Sequence, residues 1–482
     1  MIQTNKIINS FIWKLLERFS SQAISLLVTI LLARILLPIE FGIIAIIVVF
    51  IELANVIIDG GLCTALIQKK GADDIDFSTI MYFSLVLAGV LYLLLYILAP
   101  TIANFYDNTL LTPVLRILSI NLFLNSFNAI QRAYISKHML FDKLFYCSLV
   151  AIVVSGTTGI VMAYSGYGVW ALVAQQITNQ FVLSVIMWFT IKWRPLFVFS
   201  KERFKTLFDY GWKIFLSNLI IALYENVRSL IIGKMYHPSA LAFFDRGKQF
   251  PNLIMTNINI SLQTVLLPAF AEIQEQKELV KQMMKKSIEL TNFCTLPLLV
   301  GLAVAAKPLV ILLLTDKWIE AVPFIQIFSI AFMMMPIQSS NMSAIKALGY
   351  SNITLKIEII KKVIETIILV ISFFISVYAV AWGIVLYNFI CIIINLYPCK
   401  KILNYNLYEQ FRDVIPYLLS SLAMGFALYI LTFFDFSNGL LLALQIVLGL
   451  FIYIILNAVF KTNSFMFVKN MIAKKYYTFH LK

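Results

Sequence analysis

The sequence predicts an all-α polytopic membrane protein with about 14 transmembrane helices, and three observations carry that expectation. Its 482 residues are 61% hydrophobic and only 13% charged, with a mean hydropathy of +0.89. A soluble domain carries about 25% charged and 45–50% apolar residues. Fourteen apolar runs approach or exceed the ~20 residues that a bilayer crossing needs. The basic residues, finally, gather at one set of span ends.

The runs cover 11–34, 41–67, 78–104, 112–135, 145–164, 168–191, 207–233, 243–270, 288–313, 320–346, 358–379, 380–398, 412–434 and 438–460. Lys and Arg close to span ends resist translocation. With the N-terminus in the cytoplasm, roughly 30 of the 38 basic residues fall inside by that rule, and the turns at Gly166, Val380 and Ser437 carry none. An even span count with both termini cytoplasmic follows. The net charge of +14 then reports orientation and contact with anionic lipid, not nucleic-acid binding. The polar Met1 to Ser10 and the long run after it, with Glu17 and Arg18, lack the form of a cleaved signal peptide.

The first span sets the pattern. Arg18, Gln22, Ser25 and Thr29 step by 4, 3 and 4, so they share one helical face in an otherwise apolar run ending at Leu37-Pro38. A polar face cannot point at hydrocarbon without losing its hydrogen bonds, so it should line protein or water. Asn121, Asn125, Asn128 and Arg132 repeat these steps in the fourth span, as do Asn252, Thr256, Asn259 and Gln263 in the eighth. The tenth has Gln338 to Asn341, and the seventh has Glu225 and Arg228 on one face. In the second span Glu52 precedes Asp59-Gly60-Gly61.

Each feature has a plainer reading. Amides and hydroxyls also join membrane helices, at about 0.6 kcal/mol per bond. Arg18 could snorkel to the cytoplasmic face, Arg228 could pair with Glu225, and Asp59 could mark only a helix break. Intramembrane charges are costly enough, at about 2.5–3.5 kcal/mol, to suggest function. The candidate binding residues are therefore Arg18, Gln22, Asn125, Asn128, Arg132, Glu225, Arg228, Asn252, Asn259 and Gln263, with Glu52 and Asp59 as candidates for a coupling ion. Guanidinium groups grip phosphate oxygens and amides match sugar hydroxyls, so the stripes suit a phosphorylated sugar better than a small apolar drug.

Spans 1–6 resemble spans 7–12. Trp13-Lys14 matches Trp212-Lys213 at an offset of 199, Pro38 matches Pro238 at 200, Leu118 to Ile120 matches Phe328 to Ile330 at 210, and Val169-Trp170 matches Ala381-Trp382 at 212. Six is even, so the halves would be parallel lobes around a central cavity. The expected domains are 1–200, 201–400 and a pair of additional helices with a basic tail over 401–482. The five cysteines are scattered and the three histidines lack ligand-spaced partners, so no metal, cofactor or enzymatic nucleophile is expected.

Ala33-Arg34 with Pro38 and Phe41-Gly42, then Asp59-Gly60-Gly61-Leu62 and Ala65 to Gln68, resemble the polysaccharide flippases of the multidrug/oligosaccharidyl-lipid/polysaccharide exporter superfamily. Gly166 to Val173, Leu230 to Gly233, Leu241 to Phe250, and Pro268 with Phe270 extend the resemblance to about residue 400. It implies a bacterial inner-membrane transporter that moves undecaprenyl-diphosphate-linked oligosaccharide by alternating access, for lipopolysaccharide (including O-antigen), capsule or exopolysaccharide. The implied partners are that lipid-linked sugar, membrane lipids, and a polysaccharide polymerase with glycosyltransferases. Relatives often carry an Asp shortly before the seventh span's Ile-Ile-Gly, where this chain reads Glu225 to Arg228. The alternatives are a cation-coupled multidrug exporter of the same superfamily and a membrane glycosyltransferase or polymerase; the latter would need a sizeable external loop bearing catalytic carboxylates, which the sequence lacks.

Overall fold

The computed structural model describes residues 2–273 and 275–470, with the side chains at 2–9, 11, 260–265, 267, 268, 271 and 351 left aside. Among the described residues the secondary structure is helical, with seventeen bounded α-helices, a further helical stretch over 463–470 and two short 3₁₀ turns. Helices occupy all fourteen expected span positions. Twelve spans among the described residues are long and apolar enough to cross a membrane. The other two positions, the eighth and eleventh, carry clustered charges: the helix at the eighth holds Asp245, Arg246 and Lys248, and the helix at the eleventh holds Lys356, Glu358, Lys361, Lys362 and Glu365 within its first four turns.

The chain divides into two compact units, Met1–Ala242 and Phe243–Lys482. The first unit contains α1 (Ile2–Ile35), α2 (Pro38–Asp59), α3 (Leu62–Gln68), α4 (Asp74–Phe105), α5 (Leu111–Leu118), α6 (Asn121–His138), α7 (Phe141–Tyr164), α8 (Val169–Thr190) and α9 (Lys201–Met235). The helix α10 (Pro238–Glu272) begins there and continues into the second unit. In lipid there is little hydrophobic drive between helices, so packing and interhelical hydrogen bonds hold them together. Thus Trp13 of α1 packs its ring 5.4 Å from that of Phe145 on α7. Asn179 of α8 donates to Ser155 of α7 at 3.2 Å.

The end of the unit that holds the start of α4 is tied by charge. Asp76, fully buried, pairs with Lys69 at 2.7 Å, and Arg203 at the start of α9 bonds Asp73 and lies 3.5 Å from Asp76. Asp73 also caps α4 by accepting from the Asp76 amide at 3.1 Å. The Arg203 guanidinium, seconded by backbone amides, holds the Asp73 carboxyl below its ordinary range. Lys137 of α6 caps the last turn of α3, donating to the Leu66 and Lys69 carbonyls at 2.9 and 2.5 Å. A cation there complements the negative end of the helix dipole.

The second unit contains α11 (Lys277–Leu313), α12 (Val322–Met333), α13 (Met335–Ala347), α14 (Ser351–Phe373), α15 (Val377–Leu403), α16 (Leu407–Ile430) and α17 (Asn438–Val459). Phe244 of α10 meets Phe328 of α12 edge-on, 5.0 Å between centroids. The last two helices pack on α11, where Tyr453 donates to the Phe293 carbonyl at 2.9 Å. Tyr405, buried just before α16, donates to Asp413 at 2.7 Å; burial and that carboxylate push its ionisation far up.

The sequence placed the turn between the eleventh and twelfth spans at residues 379–380. It falls earlier because Ser376 caps α15, accepting from the Ala379 amide at 3.0 Å. The repeat is visible in the helix boundaries: α1 and α9 end at Ile35 and Met235, and the next helices start at Pro38 and Pro238. The fourth and tenth spans are both interrupted, near Ser119 and Met334. The second and eighth differ, since α2 breaks at Gly60-Gly61 while α10 runs through. Trp170 and Trp382 also differ in position, being the second residue of α8 and the sixth of α15.

Candidate functional site

The break after Asp59 builds the first unit's polar site. Gly60 and Gly61 adopt φ of +51° and +69°, the left-handed region in which a Cβ is unfavourable. Gly60 ends α2 by donating its amide to Val56 at 3.1 Å. At Gly61 a Cβ would run into the Gly211 carbonyl oxygen and reach 3.0 Å from the Phe215 amide nitrogen, so only glycine lets the break press on α9.

That kink turns Cys63 back toward Asp59, within hydrogen-bonding reach of its carboxylate. Arg132 of α6 is within electrostatic reach of Cys63 and of Glu17 on α1. Its side chain is exposed. Glu17 also pairs with Lys14 at 2.9 Å. The buried Oδ1 of Asp59 has no hydrogen-bond partner among the described residues. Such an oxygen carries a desolvation penalty of about 1–3 kcal/mol that a proton, a cation or a ligand donor would relieve.

Two turns back along α2, about 10 Å at 1.5 Å per residue, a second group forms. Glu52 lies within hydrogen-bonding reach of Asn226 and in the field of Glu225, both on α9. Arg228 is half-buried three residues further along and has contacts of its own. Glu52 and Asp59 are seven residues apart and so share one face of α2, joining the two groups.

Arg18, half-buried on α1, makes no ion pair among the described residues, and Gln22 has contacts of its own. Asn125 is half-buried. Asn128 is a helix-joining residue: it donates to the Gln180 carbonyl and side chain, each at 3.1 Å, and accepts from Ser184 at 2.8 Å. The fourth-span stripe therefore divides, with Asn128 turned to α8 and Arg132 to the charged group. In the second unit, Asn252 is exposed and accepts from Thr256 at 3.1 Å, while Asn259 is half-buried with contacts of its own. Gln263 lies outside the described side chains. The tenth-span amides are joints, Asn341 and Gln410 exchanging hydrogen bonds of 3.1 and 3.2 Å.

Sequence reasoning missed Glu17, Cys63 and Asn226 as members of these groups. Glu17 and Asn226 adjoin residues it had chosen, and Cys63 stands four residues after Asp59, a spacing that makes neighbours in a regular helix too. Among the described residues no cluster of three or more His, Cys, Asp or Glu could hold a metal.

The chain is 23% identical over 416 residues to the teichuronic acid biosynthesis protein TuaB of Bacillus subtilis, covering 84% of this chain and 85% of that one. It is 23% identical over 336 residues to the lipopolysaccharide biosynthesis protein WzxC of Escherichia coli, covering 68% of each. Its fold is that of the lipid II flippase MurJ in an inward closed conformation, with a TM-score of 0.75 at 17% identity over 93% of this chain and 98% of that one. An inward-facing multidrug resistance transporter of the MATE family shares the fold at a TM-score of 0.60 and 14% identity, over 80% and 94% of the two chains. Residues 31–323 match the family model described as polysaccharide biosynthesis protein, and the chain belongs to that family.

Proposed function

We propose that this protein flips an oligosaccharide carried on a polyprenyl diphosphate across the bacterial cytoplasmic membrane by alternating access, supplying a surface polysaccharide. Both termini lie in the cytoplasm in this reading, and a polysaccharide polymerase and glycosyltransferases act on the same lipid-linked sugar. The polyprenyl tail stays in lipid, while the charged head, whose unaided crossing is slow, passes through protein.

The observation that carries the reading is Arg132, an exposed arginine within a membrane span that lies within electrostatic reach of Glu17 and Cys63. Charge-assisted, bidentate bonds suit it to a diphosphate. Arg18 accompanies it at the cytoplasmic end, and Arg228 on α9, three residues beyond Glu225, serves as a second station. Within the first unit Asn125 and Gln22 serve sugar hydroxyls while Asn128 acts as a joint, and within the second unit Asn252, Asn259 and Gln263 have the same role as Asn125 and Gln22. Asp59, with its unpartnered oxygen, takes the coupling proton or cation, and Glu52 relays it.

The test is complementation of a host lacking its own flippase for the matching polymer. Arg132→Ala and Arg228→Ala should abolish surface polymer while protein level in the membrane is unchanged. Wild-type polymer from either variant removes that residue from the pathway. Drug resistance on overexpression, without any change in polymer, would replace the reading with drug export.

A further inference from the structure

The second unit contains a cavity that the flipping reading does not use. It has a volume of about 1020 Å³ and opens between the ends of α11, α12, α15 and α16 and the start of α17. Its walls carry Lys307 and Asp435, with the rings of Tyr378, Trp382 and Tyr429. Both charged side chains are exposed. Among the described residues, neither makes an ion pair with the other or with a third group. Two opposite charges facing one space without meeting leave room for a dipolar guest.

The surroundings decide which guest. Lys307 lies six residues before the end of α11 and Tyr429 one residue before the end of α16, so the cavity sits at the level of the helix ends. Tyr and Trp concentrate at that level because their rings bridge apolar and wet surroundings. Tyr378 is held rigid by stacking on Phe324, 4.8 Å between centroids and 8° between planes. Val304, Ile327 and Ile330 extend an apolar wall from the same space. The ligand that fits has an anionic phosphate, an ammonium a few bonds away and apolar chains.

We propose that this cavity binds one zwitterionic phospholipid of the leaflet facing this end of the second unit, the extracytoplasmic leaflet in the orientation given by the basic-residue bias. Lys307 meets the phosphate and Asp435 accepts from the ammonium. The aromatic faces of Tyr378, Trp382 and Tyr429 add cation–π attraction to the same ammonium. The acyl chains run along Ile327 and Ile330. The site needs only a membrane-embedded fold and stands whether or not the chain flips a lipid-linked sugar.

The experiment is lipid titration of the delipidated full-length protein in detergent, read by native mass spectrometry. Phosphatidylethanolamine and phosphatidylglycerol with the same acyl chains are compared. Wild type should prefer phosphatidylethanolamine. Lys307→Gln should weaken both lipids about tenfold, the worth of one charged hydrogen bond. Asp435→Asn should erase the preference by weakening phosphatidylethanolamine alone. Melting temperatures without lipid should match wild type, since both side chains are exposed and bond nothing among the described residues. Equal binding of the two lipids by wild type overturns the proposal, as does an unchanged preference in both variants. A soluble oligosaccharide that displaces the lipid would instead assign the aromatic walls to sugar and overturn it too.

Discussion

Adjacent glycines of the same backbone class give the sharpest test of the α2 break. At Gly60 a Cβ meets only ordinary contacts, 3.6 Å from Ile57 and Leu62. At Gly61 it meets the backbone of α9. Alanine at Gly60 should therefore cost only the left-handed strain of about 1–2 kcal/mol. Alanine at Gly61 adds overpacking of about 1–3 kcal/mol to that strain, about 2–5 in all. Gly211 faces the same contact from inside α9, where a Cβ would sit 3.2 Å from the Gly60 carbonyl oxygen. There the mild crowding is offset by the helix-propensity gain of about 1 kcal/mol. For a unit of this size each kcal/mol moves a melting temperature by about 2–4 °C. Gly61→Ala should thus melt about 4–20 °C lower, Gly60→Ala a few degrees lower and Gly211→Ala close to wild type. Tryptophan fluorescence of the purified protein, at one scan rate, reads all three. Equal losses at Gly60 and Gly61 would refute the idea that the break is pressed on α9.

Other outcomes separate joints from transport residues. Asn128→Leu removes three interhelical bonds and should cost about 1–2 kcal/mol at ~0.6 per bond, leaving transport largely intact in the complementation assay. Arg132→Lys should keep the charge but lose the bidentate grip, lowering transport without lowering the melting temperature. Asp59→Asn should eliminate the dependence of transport on a proton or sodium gradient in proteoliposomes, and retained coupling would exclude it. The depressed Asp73 carboxyl contributes stability that is complete above its ordinary value of 3.8 and is lost as pH falls through its lower folded value. The group is well exposed, so solvent screens its pair with Arg203 to about 0–1 kcal/mol. Asp73→Asn should flatten the acid limb of the melting curve by no more than that.

The span count was legible because bilayer thickness imposes an apolar length and charge resists translocation; both marks are local and survive in one chain. The polar stripes were legible for the same reason, as a 3.6-residue period. Which neighbour each amide faces was not. Asn125 and Asn128 look alike in sequence, yet Asn128 is filled by Gln180 and Ser184, more than fifty residues away. The Asp59–Cys63 spacing of four makes neighbours in a regular helix as well, so the spacing does not reveal the kink, which shows only in the φ values of Gly60 and Gly61.

The charged tie at the start of α9 has a mechanical consequence. Arg203 is bound to Asp73 and lies beside the fully buried Asp76, so this end of α9 cannot leave α4 without exposing a carboxylate that now has its cations. The other end of α9 is held as well, Tyr106 just after α4 donating to the Leu230 carbonyl at 3.2 Å and Asp107 pairing with Lys234 at 3.0 Å. Between Arg203 and Lys234 lie 31 residues, about 47 Å at 1.5 Å per residue. Fastened to α4 near both of its ends, α9 acts with it as one strut rather than as a separate rod.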